Sequence, residues 1–186
     1  MLTQPISRDG RHLSENSASS YLNKAKADLN EAFNDRFISD NPAKRVKGIK
    51  VNDNSKEYLL IEEVRKLHST PCELPLLKNA FMFSCLTDLR WSDVQKLLWK
   101  EMVYSEAEGR HKIHYTQKKT KAAEYLPISA EAYQLLCQRK DDDTRVFKGL
   151  KCSAWNNLHL ARWVMDAGIN KKITFHCARH TYATLL

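Results

Sequence analysis

Apolar side chains between Tyr21 and Phe33 recur every three or four positions, which predicts a helix that begins near Ser14. The stretch DNP at residues 40–42 ends this helix, because a residue before proline avoids helical backbone angles. Residues 41–56 are polar and basic and show no period, so we interpret them as a linker. One helix and a linker do not make a domain. Residues 1–40 are therefore predicted to carry the last helix of an incomplete N-terminal domain.

After the linker the pattern becomes one of amphipathic and buried helices. The stretch YLLIEEVRKLHS is amphipathic, and LPLLKNAFMFSCL is apolar nearly all round, which is typical of a buried helix. A third helix is predicted over SDVQKLLW, with Ser92 as N-cap and Gln95 completing a capping box. Two more helices are predicted farther on, one capped by Ser129 and one ended by Gly168. A last helix is expected to begin with Thr174 as its N-cap.

Two short stretches carry a different pattern. The stretches KIHYTQ and AEYLPI are rich in β-branched and aromatic residues and flank the basic stretch KKTKA. We predict that they form a hairpin with Pro127 in an edge strand, where a missing N–H is tolerated. With only 5 glycines and 5 prolines the chain is too poor in turn residues for an all-β protein. The predicted fold class is mainly α with a small antiparallel hairpin, an α+β fold.

Net charge and cysteine usage limit the classes of partner and of metal or disulfide site that the chain is expected to have. Lys and Arg total 30 against 22 Asp and Glu, and the net charge of +8 suits a polyanion such as nucleic acid, although many basic proteins bind none. The 5 cysteines include no CxxC pair, which favours buried free thiols over disulfides or a cysteine zinc site. No apolar run is long enough to span a membrane, and the first residues lack the apolar segment of a signal peptide. We therefore expect a cytosolic protein without a membrane partner.

Basic residues that could bind an anion stand at the edges of three predicted elements. They are Arg90 before the third helix, Lys118, Lys119 and Lys121 in the hairpin turn, and His176 and Arg179 in the last helix. Helix N-termini favour anions, and residues at positions i and i+3 share one helix face. Taken singly, each group has an ordinary interpretation as a surface ion pair, a solvated turn or a pair at a helix start. Their order along the chain is far more specific.

The stretches that contain these groups resemble one known family. They are FMFSCLTDLRWSDVQKLLW, YTQKKTKAAEYLPIS, VFKGL and AGINKKITFHCARHTYATLL. From about Ser14 to Leu186 the chain resembles the tyrosine recombinases, or phage-type integrases, and especially those of Bacteroides-type conjugative mobile elements. The resemblance implies a core-binding domain whose last helix lies in residues 1–40, a basic linker over residues 41–56, and a catalytic domain over residues 57–186 that is truncated at its C-terminal end.

The resemblance also assigns roles to residues of this sequence. It implies that Arg90, Lys119, His176 and Arg179 are catalytic, with Lys118 or Lys121 as the alternative if the register of the turn differs. Asp93 would support the first arginine, and His180 would play a structural supporting part. Contacts to the DNA backbone are expected from the remaining basic residues of the turn and the linker, namely Lys118, Lys121, Lys44, Arg45, Lys47 and Lys50.

The chemistry implied by the resemblance explains these residue types. Such enzymes attack a DNA phosphodiester with a tyrosine hydroxyl and form a 3′-phosphotyrosyl link. Two arginines bind the charged phosphate oxygens bidentately, so no metal or other cofactor is expected. Lysine can protonate the leaving 5′-oxygen, and histidine can relay a proton near neutral pH. The expected partners are double-stranded DNA and other recombinase protomers on it, in a bacterial cytoplasm and on its nucleoid.

The sequence departs from the family pattern in two ways: the nucleophilic tyrosine is missing, and one glycine is replaced. No tyrosine follows the His-x-x-Arg-His box at the required distance, so we expect a fragment without its nucleophile that cannot cleave DNA alone. Tyr182 occupies the aromatic position of the box and is predicted to lie in the core with Phe175 and Ala178. Asp88 stands where the family has glycine, which predicts a positive φ there. Its carboxylate could pair with Arg90 and weaken the hold of that arginine on phosphate.

Two other functions compete with this interpretation. His176 and His180, spaced as H-x-x-x-H, could bind zinc in a hydrolase. However, Cys177 replaces the glutamate that a zinc protease helix needs, and no third ligand is evident. The chain could also be a DNA-binding module that is derived from a recombinase and does not cut.

Overall fold

The computed structural model describes residues 12–51, 56–116, 123–151 and 153–185. The chain forms two compact units, Met1–Ser55 and Lys56–Leu186. The described part is mainly helical with one three-stranded antiparallel sheet, which confirms the predicted fold class. Within the described residues, no helix is both long enough and apolar enough to span a bilayer. The four described cysteines are free thiols, and two of them, Cys85 and Cys177, are buried.

The first unit is built on one long helix, α1 (Glu15–Asn34). Ser14 caps it, because its Oγ accepts a hydrogen bond of 3.2 Å from the backbone N–H of Ser17. The helix ends before the predicted stop at the DNP stretch, and Arg36 follows with a left-handed φ of 63°.

The beginning of the predicted linker is also folded. A 3₁₀ helix (Pro42–Arg45) lies against α1: the amide of Asn41 donates a 2.6 Å hydrogen bond to Asn30, and the ammonium of Lys44 lies 4.7 Å from the centroid of the Phe33 ring. The predicted basic linker over residues 41–56 therefore contains a short helix, which its composition did not predict and which contacts with α1 stabilise.

The second unit is organised around α3 (Pro75–Thr87), which is buried on nearly all sides as its sequence predicts. The short α2 (Ile61–Ser69) precedes it, and α6 (Ala154–Asp166) and α7 (Cys177–Leu185) pack against it. Aromatic rings join these elements edge to face, with Phe81 of α3 at 6.0 Å from Trp163 and at 5.7 Å from Phe175. The apolar core of this unit runs from Leu59 to Ala178.

A buried hydrogen bond joins the first and last parts of the second unit. The backbone N–H of Leu59 donates a 3.0 Å bond to Thr181 Oγ1, while the same hydroxyl donates to the backbone oxygen of Cys177. Thr181 is fully buried, so this bond fixes the start of the unit to the middle of α7.

The sheet lies between α4 (Trp91–Lys96) and the short α5 (Ala130–Gln134) in the chain. It consists of β1 (Met102–Ser105), β2 (Arg110–Thr116) and β3 (Ala123–Pro127), in the order β1-β2-β3. Ile113 of β2 pairs with Leu126 of β3 and is fully buried. The predicted hairpin is confirmed as β2–β3, and Pro127 lies in an edge strand as expected, whereas β1 was not predicted.

Four of the predicted helix ends can be compared directly. Ser129 caps α5 by accepting a 3.1 Å bond from the N–H of Ala132, and Gly168 follows α6 with a φ of 65°, so both predictions are confirmed. The capping box at Ser92 is wrong, because α4 begins at Trp91 with Arg90 as its N-cap, two residues before the predicted cap. Thr174 does not immediately precede α7. It begins a turn in which its carbonyl accepts a 2.9 Å bond from the N–H of Cys177.

Candidate anion-binding site

An open cavity of about 510 Å³ lies where the end of α3, the start of α4 and α7 meet. Three of the predicted catalytic residues line it, two of them from α7 or the turn before it and one from the start of α4. The lining residues are Asp88, Arg90, His176, Arg179, His180, Tyr182 and Ala183. Residues that are up to 95 positions apart in the sequence thus face one solvent-open space.

Arg90 is exposed at the N-terminus of α4, where its backbone carbonyl accepts bonds of 2.9 Å from the N–H groups of Asp93 and Val94. Among the described residues its guanidinium has no hydrogen-bond or ion-pair partner. The neighbouring Trp91 packs edge to face on Phe175 at 4.6 Å, and Phe175 precedes His176. This aromatic contact holds the segments of Arg90 and His176 against each other, so both side chains face the same cavity.

Arg179 is engaged by Asp88 in a bidentate ion pair. Its Nε donates to Oδ1 at 2.7 Å and its Nη2 to Oδ2 at 2.8 Å. The hydrogen bond with Asp88 raises the pKa of Arg179, and the nearby charges of Asp88 and Asp93 raise it further. Asp88 has a φ of 58°, which confirms the predicted left-handed backbone. The predicted partner was wrong, because the carboxylate reaches Arg179 across the cavity rather than Arg90 in its own turn.

The two histidines of the box lie edge to face with their ring centroids 5.0 Å apart. His176 is exposed, whereas His180 is half-buried. Burial lowers the pKa of His180, and repulsion from His176, Lys56 and Arg179 lowers it further. As the pH falls, His180 therefore stays neutral to a lower pH than a free histidine does. Its ring lies against that of His176.

Tyr182 does not lie in the core, contrary to the prediction. It is half-buried and lines the cavity, three positions after Arg179. The core positions of α7 are those of Cys177, Ala178 and Thr181. The i to i+3 spacing from Arg179 was the signal that could have placed this side chain at the site. The predicted face rested on Phe175, which lies before the start of α7.

The other predicted site residues that the structure describes do not line this cavity. Lys118, Lys119 and Lys121 fall outside the described residues. Asp93 is exposed in the first turn of α4, where it accepts a 3.2 Å bond from the hydroxyl of Ser92. The basic residues Lys44, Arg45, Lys47 and Lys50 belong to the first unit and are exposed, and Arg45 forms an ion pair with Asp40.

The donor set at the cavity fits an anion better than a metal ion. Two guanidiniums and one carboxylate leave one net positive charge beside two imidazoles. Within the described part of the chain, no three His, Cys, Asp or Glu side chains are grouped so that they could hold a metal. A phosphate oxygen is a suitable ligand because guanidinium donors match its geometry and charge.

The arrangement of the second unit is that of the catalytic domain of tyrosine recombinases. Residues 57–186 match the sequence profile of the phage integrase family, and the chain belongs to that family. No curated protein matches the chain as a relative.

Solved integrase structures share the fold at low sequence identity. The integrase from mycobacterium phage Brujita has a TM-score of 0.52 at 15% identity, and the match covers 94% of this chain and 59% of that one. A lambda integrase dimer bound to a COC′ core site has a TM-score of 0.61 at 18% identity, with coverage of 91% and 51%. A lambda integrase tetramer bound to a Holliday junction gives the same score and identity, with coverage of 91% and 53%. The chain thus spans between half and two thirds of the length of these integrases.

Proposed function

We propose that this chain is part of a site-specific DNA recombinase that breaks and rejoins duplex DNA through a 3′-phosphotyrosyl intermediate. The observation that carries the proposal is the convergence of Arg90, His176 and Arg179 on one open cavity. These are the residues that the family resemblance assigns to the scissile phosphate. A chain that binds DNA only by surface charge would not need two arginines and a histidine from distant segments at one point.

The chemistry follows from the side chains. The tyrosine oxygen attacks phosphorus, the new P–O bond forms, and the bond to the 5′-oxygen breaks. Arg90 and Arg179 stabilise the negative charge on the nonbridging oxygens. Lys119 gives its proton to the departing 5′-oxygen, and His176 takes up or relays the proton of the attacking hydroxyl. We infer that the nucleophile is none of the seven tyrosines of this sequence and lies outside residues 1–186.

The proposed partners are double-stranded DNA and further protomers on it. Lambda integrase structures of the same fold are a dimer on a core site and a tetramer on a Holliday junction, and they support this proposal. The net charge of +8 is of the sign that DNA binding needs. The sequence resemblance further suggests a conjugative mobile element in a bacterial cytoplasm.

The first test measures DNA binding by the chain. Duplex DNA selected from a random pool should bind with a logarithmic salt slope of about −0.9 for each phosphate neutralised. Arg90→Ala should weaken binding by about tenfold, because it removes a charged phosphate ligand. The matched control is Arg162→Ala, an exposed arginine of α6 that does not line the cavity. A flat salt response, or equal effects of the two variants, would contradict the proposal.

The second test concerns the covalent step. The product of the reading frame extended beyond Leu186 should form a covalent adduct with a nicked suicide version of the selected DNA, and Arg179→Ala should abolish the adduct. The chain that ends at Leu186 should form none. An adduct on Tyr182 of the shorter chain would overturn our assignment of the nucleophile. Binding by the extended protein without an adduct would instead identify a DNA-binding module that does not cut.

A further inference from the structure

The carboxylate of Asp88 lies where an anionic ligand of Arg179 would be expected. It accepts two hydrogen bonds, of 2.7 and 2.8 Å, from adjacent guanidinium nitrogens, which is the geometry in which arginine binds carboxylate or phosphate oxygens. The pair uses Nε–H and one N–H of Nη2. The Nη1 end of the guanidinium has no protein partner among the described residues.

The position of Asp88 is set by the backbone and not by the ion pair alone. Asp88 ends α3 in the left-handed region, and its N–H donates to the carbonyl of Ser84 at 3.2 Å. The buried hydroxyl of Ser84 in turn donates a 2.6 Å bond to the carbonyl of Leu89. These contacts fix the turn, so the backbone of Asp88 stays close to Arg179 when another anion approaches.

The effect of Asp88 on the cavity is electrostatic. Its charge cancels that of Arg179, while Arg90 has no carboxylate partner within the described residues. A DNA phosphate that approaches Arg179 must either displace the carboxylate or bind the Nη1 end with a like charge close by. Both routes weaken the binding of a phosphate, because like charges at short range repel each other in a partly buried site.

We propose that Asp88 is an internal competitor of the DNA phosphate, which occupies Arg179 in the free protein and lowers the affinity of the site for DNA. The inference rests on the proposed function for the identity of the ligand. The competition itself would apply to any phosphate. Asp88 thereby sets a threshold: the arginine is released for phosphate only when the remaining DNA contacts make up for the lost ion pair.

The experiment compares Asp88→Asn with the wild-type chain. Asparagine keeps the side-chain shape and tolerates the left-handed backbone, so the turn should remain intact while the competing charge is lost. We expect duplex DNA to bind about five- to tenfold more tightly, and the salt slope to steepen by about 0.9, the value for one more phosphate neutralised. Asp88→Gly should act in the same direction. If Asp88→Asn leaves the affinity unchanged or lowers it while the variant melts as the wild type does, the inference is wrong.

A matched control separates this effect from a general gain of positive charge. Asp143→Asn removes a carboxylate that pairs with Lys100 at 2.6 Å and does not line the cavity. It changes the net charge by the same amount, and we expect less than about a twofold change in DNA affinity, because exposed charges are screened by salt. Equal tightening by both variants would overturn the inference.

A second probe makes the outcome independent of DNA. Inorganic phosphate is titrated into each protein, and the Nε–H resonance of Arg179 is followed by NMR. Tighter phosphate binding by Asp88→Asn without any DNA binding would support the competition and contradict the proposed function. Steep, salt-dependent DNA binding with identical wild-type and Asp88→Asn affinities for both ligands would support the function and contradict the competition.

Discussion

His180 shows how a single side chain at the site is kept neutral. Its imidazole is half-buried, and His176, Lys56 and Arg179 are close enough to disfavour a second positive charge there. Burial is the largest cause of its lowered pKa, and the repulsion from these neighbours lowers the pKa further. A neutral His180 can support the ring of His176 without repelling the arginine one residue before it in the chain.

An NMR titration of the imidazole resonances should therefore give His180 a pKa below 6.5, the ordinary value. Because the folded-state pKa lies below the unfolded one, the folded protein binds fewer protons, and His180 reduces stability as the pH falls below 6.5. The variant His176→Gln should raise the pKa of His180, since one source of repulsion is lost. A wild-type pKa at or above 6.5 would contradict this account.

The residue scale is also where the sequence was least informative. The positive φ of Asp88 could be predicted, because the family has glycine there and aspartate tolerates that backbone. Its partner could not, since Arg179 is 91 positions away and only the tertiary fold brings the two together. Tyr182 was misplaced because the predicted apolar face was drawn through Phe175, which lies before the start of α7 at Cys177.

At the scale of elements, an ion pair connects the start of α2 to the loop before α7. The ammonium of Lys171 donates to Glu63 at 2.6 Å and to the carbonyl of Tyr58 at 3.0 Å. Burial alone would raise the pKa of Glu63, but the hydrogen bonds from Lys171 and from the N–H of Leu60 outweigh it and lower the pKa below 4.5. The pair thus stabilises the folded state at neutral pH.

We expect Glu63→Gln to lower the free energy of unfolding by about 1–2 kcal/mol at pH 7, because the hydrogen-bonded ion pair is only about a quarter exposed. The depressed pKa of Glu63 contributes stability that is present above pH 4.5 and lost as the pH falls below it, so the two proteins should become similar in acid. Denaturant unfolding at several pH values measures this. Glu62→Gln, an exposed neighbour, is the control and should change stability by less than about 0.5 kcal/mol.

Elements with a strong local pattern were predictable, and short ones were not. The buried α3 followed from an apolar run, and the β2–β3 hairpin from two stretches rich in β-branched and aromatic residues; both signals are local in sequence. Strand β1 has only four residues and is stabilised by its pairing with β2, for example of Met102 with Ile113. The cap of α4 moved from Ser92 to Arg90 because the packing of Trp91 on Phe175 outweighs a local serine preference.

At the scale of the whole molecule, the apolar core belongs to one unit. All buried residues of the large cluster lie at Leu59 or later in the chain. Among the described residues of the first unit, only Ala18, Ser19, Asn41 and Ala43 are buried. A helix such as α1 is marginal in water without a packed apolar face, so the stability of the chain should come mainly from the second unit.

Residues 56–186 expressed alone should therefore unfold in one cooperative transition, with a midpoint within about 5 °C of that of the full chain. Residues 1–55 alone should show no cooperative transition. Calorimetry and far-UV circular dichroism on the three proteins provide the measurement. Loss of cooperative unfolding in residues 56–186, or a sharp transition in residues 1–55, would show that stability is distributed differently.

The bond between Leu59 and Thr181 has a mechanical consequence. Thr181 is two positions from Arg179 on the same rigid helix, so tension on the backbone just before Leu59 is transmitted to the guanidinium that faces the cavity. Pulling on the chain from its N-terminal side would load α7 directly, before the core of the second unit yields.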